Sequence, residues 1–332
     1  MAESGLDAPA PDPTADAAYA PRRDAVSWVA FGVAVVAIAV VAWACVTEWG
    51  GIVHGHPAYA ILLAVTLAGA ATTIMLTLRR RVRRPGWRRA LRIVGIVLAL
   101  GWIALMAWLR PYSAEEPAVS AMAGDATVTV TDSATRIVMT PAEPVDGPAL
   151  LFQPGALVDP RAYAAVLRPI AEAGHTVVIA KQPLGIAFLA LGALDDAREA
   201  VPDADAWIIG GHSLGGTFAA IQADDADADA SSPAVGLLLY ASYPAGDISG
   251  SLSAAAMSVS GSQDGLSTPA KIDASRDDLP PDTVFVVIDG ASHAQFGDYG
   301  PQAGDGTPTI SHDDARAQIS AATLAFFAAQ PR

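Results

Sequence analysis

Cysteine is all but missing from this chain. Among 332 residues there is one, Cys45, and it lies inside a long apolar run. A single thiol excludes an internal disulfide, so the fold must be held by its core. It also leaves the chain beyond residue 45 without a cysteine nucleophile or a thiolate metal site. Charge is scarce too. Charged residues make up 16% of the chain against 52% hydrophobic ones, which is low for a wholly soluble protein. No internal repeat is visible. No phosphate-cradling or dinucleotide-binding pattern occurs, because the glycines of GGHSLGG have the wrong spacing.

What the chain does have is three long apolar runs, all before residue 110. The first spans about residues 26–46 (VSWVAFGVAVVAIAVVAWACV), the second 58–78, and the third about 90–109. The first two carry no charge. The third has Arg92 near its start, where a long side chain can snorkel to an interface. About 20 apolar residues in a helix cross a bilayer core. A buried core helix would keep a polar stripe, and these runs have none. Trp28, Trp43, Trp49, Trp87 and Trp108 sit at or near the run ends, where interfacial anchors belong. Three transmembrane helices are therefore expected. Within them there is no acid and no paired charge, a poor basis for a transport path.

Orientation follows from the connections. RRRVRRPGWRR, residues 79–89, holds seven arginines, while the first connection, TEWGGIVHGHP, holds none. The positive-inside rule puts the amino terminus and the arginine loop in the cytoplasm. Anionic lipid headgroups are the expected contact of those arginines. After three spans the rest of the chain falls on the extracytoplasmic side, giving a multi-pass protein of the cell membrane. Residues 1–25, rich in Ala, Asp and Pro, read as a disordered cytoplasmic tail. They do not read as a cleavable signal peptide, which makes the first span an uncleaved anchor.

Charge divides at the same place. Residues 1–110 carry 11 arginines against six acids, a net of +5, and residues 111–332 carry nine basic residues against 28 acids, a net of −19. So acidic an outer domain repels nucleic acid, which is excluded as a partner. Residues 111–125 read as a linker and 126–332 as the outer domain. In that domain short apolar runs alternate with helix-like stretches, as at TVVIA (176–180), AWIIG (206–210), VGLLLY (235–240) and VFVVI (284–288). Segments at 161–173, 186–200, 214–223 and 312–329 have helical character. This alternation predicts an α/β fold with a mostly parallel, doubly wound sheet. Ligand sites in such sheets form just past the carboxyl ends of strands.

One motif sits where such a site belongs. In IIGGHSLGGTFAA, an apolar run stops at Gly211-His212-Ser213-Leu214-Gly215, a G-x-S-x-G. The chemistry needs a serine on a sharp strand-to-helix turn. Gly211 and Gly215 let strand and helix pass without collision. The helix that opens at Leu214 aims free N–H groups at the site, where developing negative charge is stabilised. A serine nucleophile needs a base and an orienter. Of six histidines, His293 follows the strand VFVVI by a short loop and reaches the carboxyl edge. His175 precedes a strand, and His212 lies inside the turn itself. The acid should fall between Ser213 and His293 in chain order. Asp264 in SGSQDG is favoured, with Asp247 in SYPAGDIS the rival. In FQPGALVDP, residues 152–160, Pro154 has no N–H, so Ala156 N–H is assigned with Leu214 N–H to the oxyanion hole.

FQPGALVDPRAYAAVLRPIAEAGHTVVIAKQPL, GGHSLGG, SGSQDG and SHAQFGDYG together resemble the α/β-hydrolase superfamily, most nearly its compact dienelactone-hydrolase-like branch. The resemblance covers about residues 126–330 and none of the spans. It implies a Ser213–Asp264–His293 triad. Pro154-Gly155 stands where the superfamily usually has His-Gly. Only about 15 residues separate the strand at Tyr240 from that at Met257, leaving no room for a large cap domain.

These readings converge on a membrane-anchored serine hydrolase. It would cleave carboxyl esters or related acyl bonds of a small-molecule or lipid-like substrate through an acyl-enzyme. The competing reading is a non-catalytic binding or scaffold protein that retains the fold. No cofactor and no metal are expected. ADDADADA (223–230) lacks the glycine and glutamate of a calcium loop, and His54 with His56 supplies only two ligands. Nothing in these motifs sets an oligomeric state.

Overall fold

A computed structural model of the protein describes residues 24–79 and 86–330. The expected cytoplasmic tail and most of the arginine loop lie outside them. The chain separates into two compact units. One is built from the chain up to Trp43 together with Leu63–Trp108, the other from Ala44–Leu62 together with Leu109 onward.

The first unit is helical. Helices α1 (Ala25–Thr47), α3 (Pro57–Arg79) and α4 (Gly86–Trp108) contain the three apolar runs. Their mean hydropathies are 2.7, 2.1 and 2.2, yet only 22, 17 and 11% of each apolar window is buried. All three are long and apolar enough to cross a membrane, and an apolar surface left this bare has no stable place in water. The unit's own core is small: Ala34, Ala37, Ala70 and Ile103. Trp102 Nε1 donates to Thr66 Oγ1 at 2.8 Å, which satisfies both polar atoms between apolar helices.

The second unit is an α/β domain around one eight-stranded sheet. Its strands are β1 (Val128–Asp132), β2 (Arg136–Pro141), β3 (Ala149–Gln153), β4 (Val177–Ala180), β5 (Trp207–His212), β6 (Ala234–Tyr240), β7 (Ala255–Gly261) and β8 (Val284–Ile288). Their spatial order is β1-β2-β4-β3-β5-β6-β7-β8. β1 and β2 pair antiparallel, as do β2 and β4, and every pairing from β4 through β3 to β8 is parallel. The α/β-hydrolase architecture expected from the sequence is the one observed.

Side chains alternate across the central strands and feed two cores. Leu150, Phe152, Ile208, Leu238 and Tyr240 point to one face, with α6 (Ala164–Glu172) and α10 (His312–Ala328) over it. Leu151, Ile209, Leu237 and Leu239 point to the other, under α7 (Ala193–Ala200) and α8 (Leu214–Ala226). A strand covered on both sides must be apolar throughout, hence the unbroken runs in the sequence.

One expectation needs correction, and two connections carry more structure than the sequence marks. The helix read at 186–200 starts only at Ala193. The preceding residues form 3₁₀ turns at Pro183–Gly185 and Ala187–Leu189, the second bounded by Ile186 (φ −125°, ψ 112°) and Ala190 (φ −121°, ψ 39°), both outside the helical region. The connection between the first two spans contains a short helix, α2 (Trp49–His54). Residues 111–125 are not a free tether. Tyr112 N donates to Leu157 O at 2.7 Å and Asp159 N to Tyr112 O at 2.9 Å, while Ala118, in helix α5 (Ala118–Ala121), is fully buried. Glu48 anchors the start of this stretch through an ion pair with Arg110 and by accepting from Ser113 N at 3.1 Å.

Phe152 is fully buried, with the Tyr163 and Tyr240 rings 4.9 and 5.4 Å away. Truncating it leaves a cavity that rigid neighbouring strands cannot close. Phe152→Ala is expected to lower unfolding stability by about 3–5 kcal/mol, read by urea unfolding followed through tryptophan fluorescence.

Candidate active site

Strand β5 ends at His212, and helix α8 begins at Leu214. Ser213 alone makes the turn, with φ 52° and ψ −126°, a conformation that an L-residue holds only when its surroundings impose it. Ser213 N donates to Tyr240 O at 3.0 Å, and Ser242 Oγ donates to Ser213 O at 2.6 Å. The glycines make the crossing possible. A Cβ on Gly211 would lie 2.5 Å from Gly215 C, and one on Gly215 would lie 2.1 Å from Gln153 O and 2.2 Å from Pro154 O.

His293 and Asp264 are both buried, on loops just past β8 and β7. His293 Nδ1 lies 2.8 Å from Asp264 Oδ2. The other carboxylate oxygen accepts from Leu266 N at 2.8 Å and Ser267 N at 2.7 Å. With both oxygens occupied, the carboxylate is fixed and the imidazole with it. His293 Nε2 is buried and has no hydrogen-bond partner among the described residues. The His293 ring centroid is 4.5 Å from that of His212, the residue immediately before Ser213. Asp247, the rival acid, is exposed and accepts from Ser249 N and Ser249 Oγ instead. Asp289 accepts from Ser262 Oγ.

The loop after β3 approaches the start of α8, as the close packing of Gly215 on Gln153 and Pro154 requires. Ala156 N–H and Leu214 N–H carry no hydrogen bond among the described residues, whereas Gly155 N–H donates to Tyr163 Oη at 2.8 Å. A chain of buried glutamines holds this loop. Gln222 Oε1 accepts from Gln153 Nε2 at 2.7 Å, and Gln182 Nε2 donates to Gln153 Oε1 and Pro154 O at 3.0 and 3.1 Å.

Sequence reasoning missed three groups. One is the glutamine chain. Another is the pair Tyr163 and His212, with Tyr163 Oη and His212 Nδ1 2.9 Å apart. Tyr163 Oη also accepts from Gly155 N–H, so it ties the loop after β3 to the His212 ring. Burial, and then the neighbouring His293, hold the His212 imidazole well below its usual range, so it is neutral. The third is Asp305. Its carboxylate accepts from Gly265 N at 3.1 Å, His293 N at 3.0 Å and Ala294 N at 2.9 Å, and so clips the Asp264 loop to the His293 loop. No periodicity marks any of them; only the turn-forming GDG around Asp305 hints at a tight loop. In the acidic run after α8, Asp227 accepts from Ser253 N and Oγ and Asp229 pairs with Arg198.

Two predictions follow from this geometry. Gly215→Ala would drive a Cβ into backbone carbonyls that cannot move alone, so it should abolish recovery of folded protein in detergent or lower the melting temperature by more than about 5 °C. For Asp305, burial raises the carboxyl pKa, but the N–H groups of Ala294, Gly265 and His293 outweigh it and the net displacement is downward. A depressed carboxylate stabilises the fold above its unfolded value of about 4 and loses that contribution as pH falls through the lower folded value. The melting-temperature gap between wild type and Asp305→Asn should be full near neutral pH and close below about pH 4, as followed by scanning calorimetry.

A family model described as the alpha/beta hydrolase family matches residues 149–317. It does not single out a dienelactone-hydrolase-like branch. Among solved structures, Est1E from Butyrivibrio proteoclasticus aligns at 13% identity and TM-score 0.45, over 61% of this chain and 99% of its own. TT1662 from Thermus thermophilus aligns at 16% identity and TM-score 0.44, over 62% of this chain and 99% of its own. An alpha-beta serine hydrolase homologue from Coxiella burnetii aligns at 14% identity and TM-score 0.42, over 60% of this chain and 98% of its own. No curated protein matches the chain. With half of the chain matched by the family model, and with the eight-stranded sheet and the glycine-flanked serine turn in place, this protein belongs to the alpha/beta hydrolase family.

Proposed function

We propose that this protein is a membrane-anchored serine hydrolase that cleaves carboxyl-ester or related acyl bonds. Its catalytic domain starts at about residue 126, outside the cytoplasm, and the three apolar helices are its anchor. The observation that carries the reading is the buried His293–Asp264 pair, whose one free nitrogen, Nε2, has no partner and whose ring lies against the residue preceding Ser213. A serine hydroxyl is the partner that nitrogen's chemistry calls for.

His293 Nε2 takes the Ser213 proton as Oγ attacks the carbonyl carbon. Asp264 holds the ring so that Nδ1 keeps its proton, and it stabilises the imidazolium that forms. The oxyanion is bound by the N–H groups of Leu214 and Ala156, at the positive end of helix α8. His293 then protonates the leaving group. Water, deprotonated by the same nitrogen, releases the acyl group from Ser213. A neutral His212 adds no like charge to oppose the protonation of His293. Tyr163 supports the arrangement twice over, by taking up Gly155 N–H and by hydrogen-bonding His212 Nδ1.

The test uses the full chain in detergent with a fluorophosphonate probe and a short-chain p-nitrophenyl ester. Wild type should label covalently and turn over the ester. Ser213→Ala should not label and should lose turnover by at least about 10³-fold. A Ser213→Ala variant that turns over the ester near the wild-type rate sinks the assignment, and a folded wild type that neither labels nor turns over favours a scaffold.

A further inference from the structure

The loop between β4 and α7 departs from the rest of its domain. Residues 182–194 read QPLGIAFLALGAL, without one charge, inside an outer region of net −19. A loop on the surface of so acidic a domain should be polar. Instead Phe188, Leu189 and Leu191 stand 51, 44 and 64% exposed. Their positions are rigidly set. The two 3₁₀ turns of the loop are closed by backbone bonds, Gln222 Nε2 donates to Leu191 O at 3.1 Å, and the Phe188 ring lies 6.3 Å from that of Phe218 on α8. A fixed apolar cluster held out to water is a surface made for a partner.

Two neighbours identify the partner. On one side the loop borders the proposed oxyanion hole. Gly185 O accepts from Leu157 N at 2.8 Å, one residue past Ala156. On the other side it borders the point where the chain enters its second apolar helix. His56, the residue just before Pro57 at the start of α3, lines a cavity of about 140 Å³ with Pro183, Leu189 and Ala190, whose lining also carries Arg136, Lys181 and Asp196. Tyr59, in the first turn of α3, lines a second cavity with Leu157 and Leu184. The same entry stretch exposes Trp49, a residue type enriched at membrane interfaces, with the apolar Val53 and Ile61 near it in sequence. Within one compact unit, the apolar loop therefore adjoins the residues that lead into the second apolar helix.

We infer that loop 183–191 lies in the outer-leaflet interface and seats acyl chains, so that the substrate is a lipid ester drawn from the bilayer. The inference rests on the serine-hydrolase reading of Ser213 and names its substrate class. Hydrocarbon covers Phe188, Leu189 and Leu191, and the ester carbonyl, at headgroup depth, meets the loop after β3 beside Ser213. A water-soluble ester reaches the same serine but gains nothing from the loop.

The test uses the full chain in phosphatidylcholine vesicles. A cysteine at Leu191→Cys, in a Cys45→Ala background, carries an environment-sensitive NBD fluorophore; Gly250→Cys serves as the reference position. The Leu191 label should emit blue-shifted light and be quenched by doxyl-labelled lipid, and the reference should not. A Leu191 label that behaves like the reference overturns the inference. The second readout compares a vesicle-borne fluorogenic diacyl lipid with p-nitrophenyl acetate. The double variant Phe188→Ser/Leu191→Ser should lower the lipid-to-acetate turnover ratio at least about tenfold, and an unchanged ratio overturns the inference. Wild type that turns over the acetate but not the lipid overturns the substrate class alone. Wild type that turns over neither fails the serine-hydrolase reading and takes the substrate class with it.

Discussion

The rest of this structure depends on one close crossing, where strand β5 passes into helix α8 through Ser213. The turn needs a positive φ at a serine, and it needs Gly211, Gly215 and Gly216 because any Cβ there would strike backbone or a packed side chain. Once the crossing is made, two other features follow. Helix α8 is brought end-on to the loop after β3, which sets Leu214 N–H and Ala156 N–H free near the serine. The residue before the serine, His212, is driven into the core against His293. A wider turn would lose both.

Loops alone would not hold the groups around that serine. The connections after β7 and β8 are long, yet Asp264 and His293 are held in place within them by carboxylates that accept several N–H groups each. Asp264 spends one oxygen on its own loop and one on the imidazole. Asp305 spans the two loops. Desolvated carboxylates are costly unless fully bonded, and here the bonding is what makes the loops rigid. The glutamine chain from Gln222 to Pro154 O plays the same part for the loop after β3. It uses neutral amides where a charge would compete with a developing oxyanion.

The entry to this site is tied to the stretch of chain between the first two apolar helices. Tyr112 pairs with Val158, Glu48 holds Arg110 and Ser113, and Gly51 N donates to Ser113 Oγ. Asp159, buried and ion-paired with Arg161, also accepts from Ala114 N. The segment that leaves the third apolar helix therefore docks directly on the loop proposed to bind the oxyanion.

Much was legible in the sequence, for specific reasons. Apolar runs of 20 residues and strands buried on both faces are one-dimensional signals, so the three helices, the central strands and the parallel sheet could be read from spacing alone. Ser213 was legible because its turn demands glycines at fixed offsets, and His293 because it follows a strand at the sheet's carboxyl edge. Other features rest on contacts between residues far apart in the chain. Asp264 was favoured over Asp247 because it follows a strand directly, but the Tyr163–His212 pair, the clip made by Asp305 and the docking of residues 111–125 carry no periodic mark. Local chemistry determines which segments become strands, helices and the turn at Ser213. Only the tertiary structure decides which buried carboxylate, amide or hydroxyl meets which partner, because that depends on desolvation and on distances the sequence does not contain.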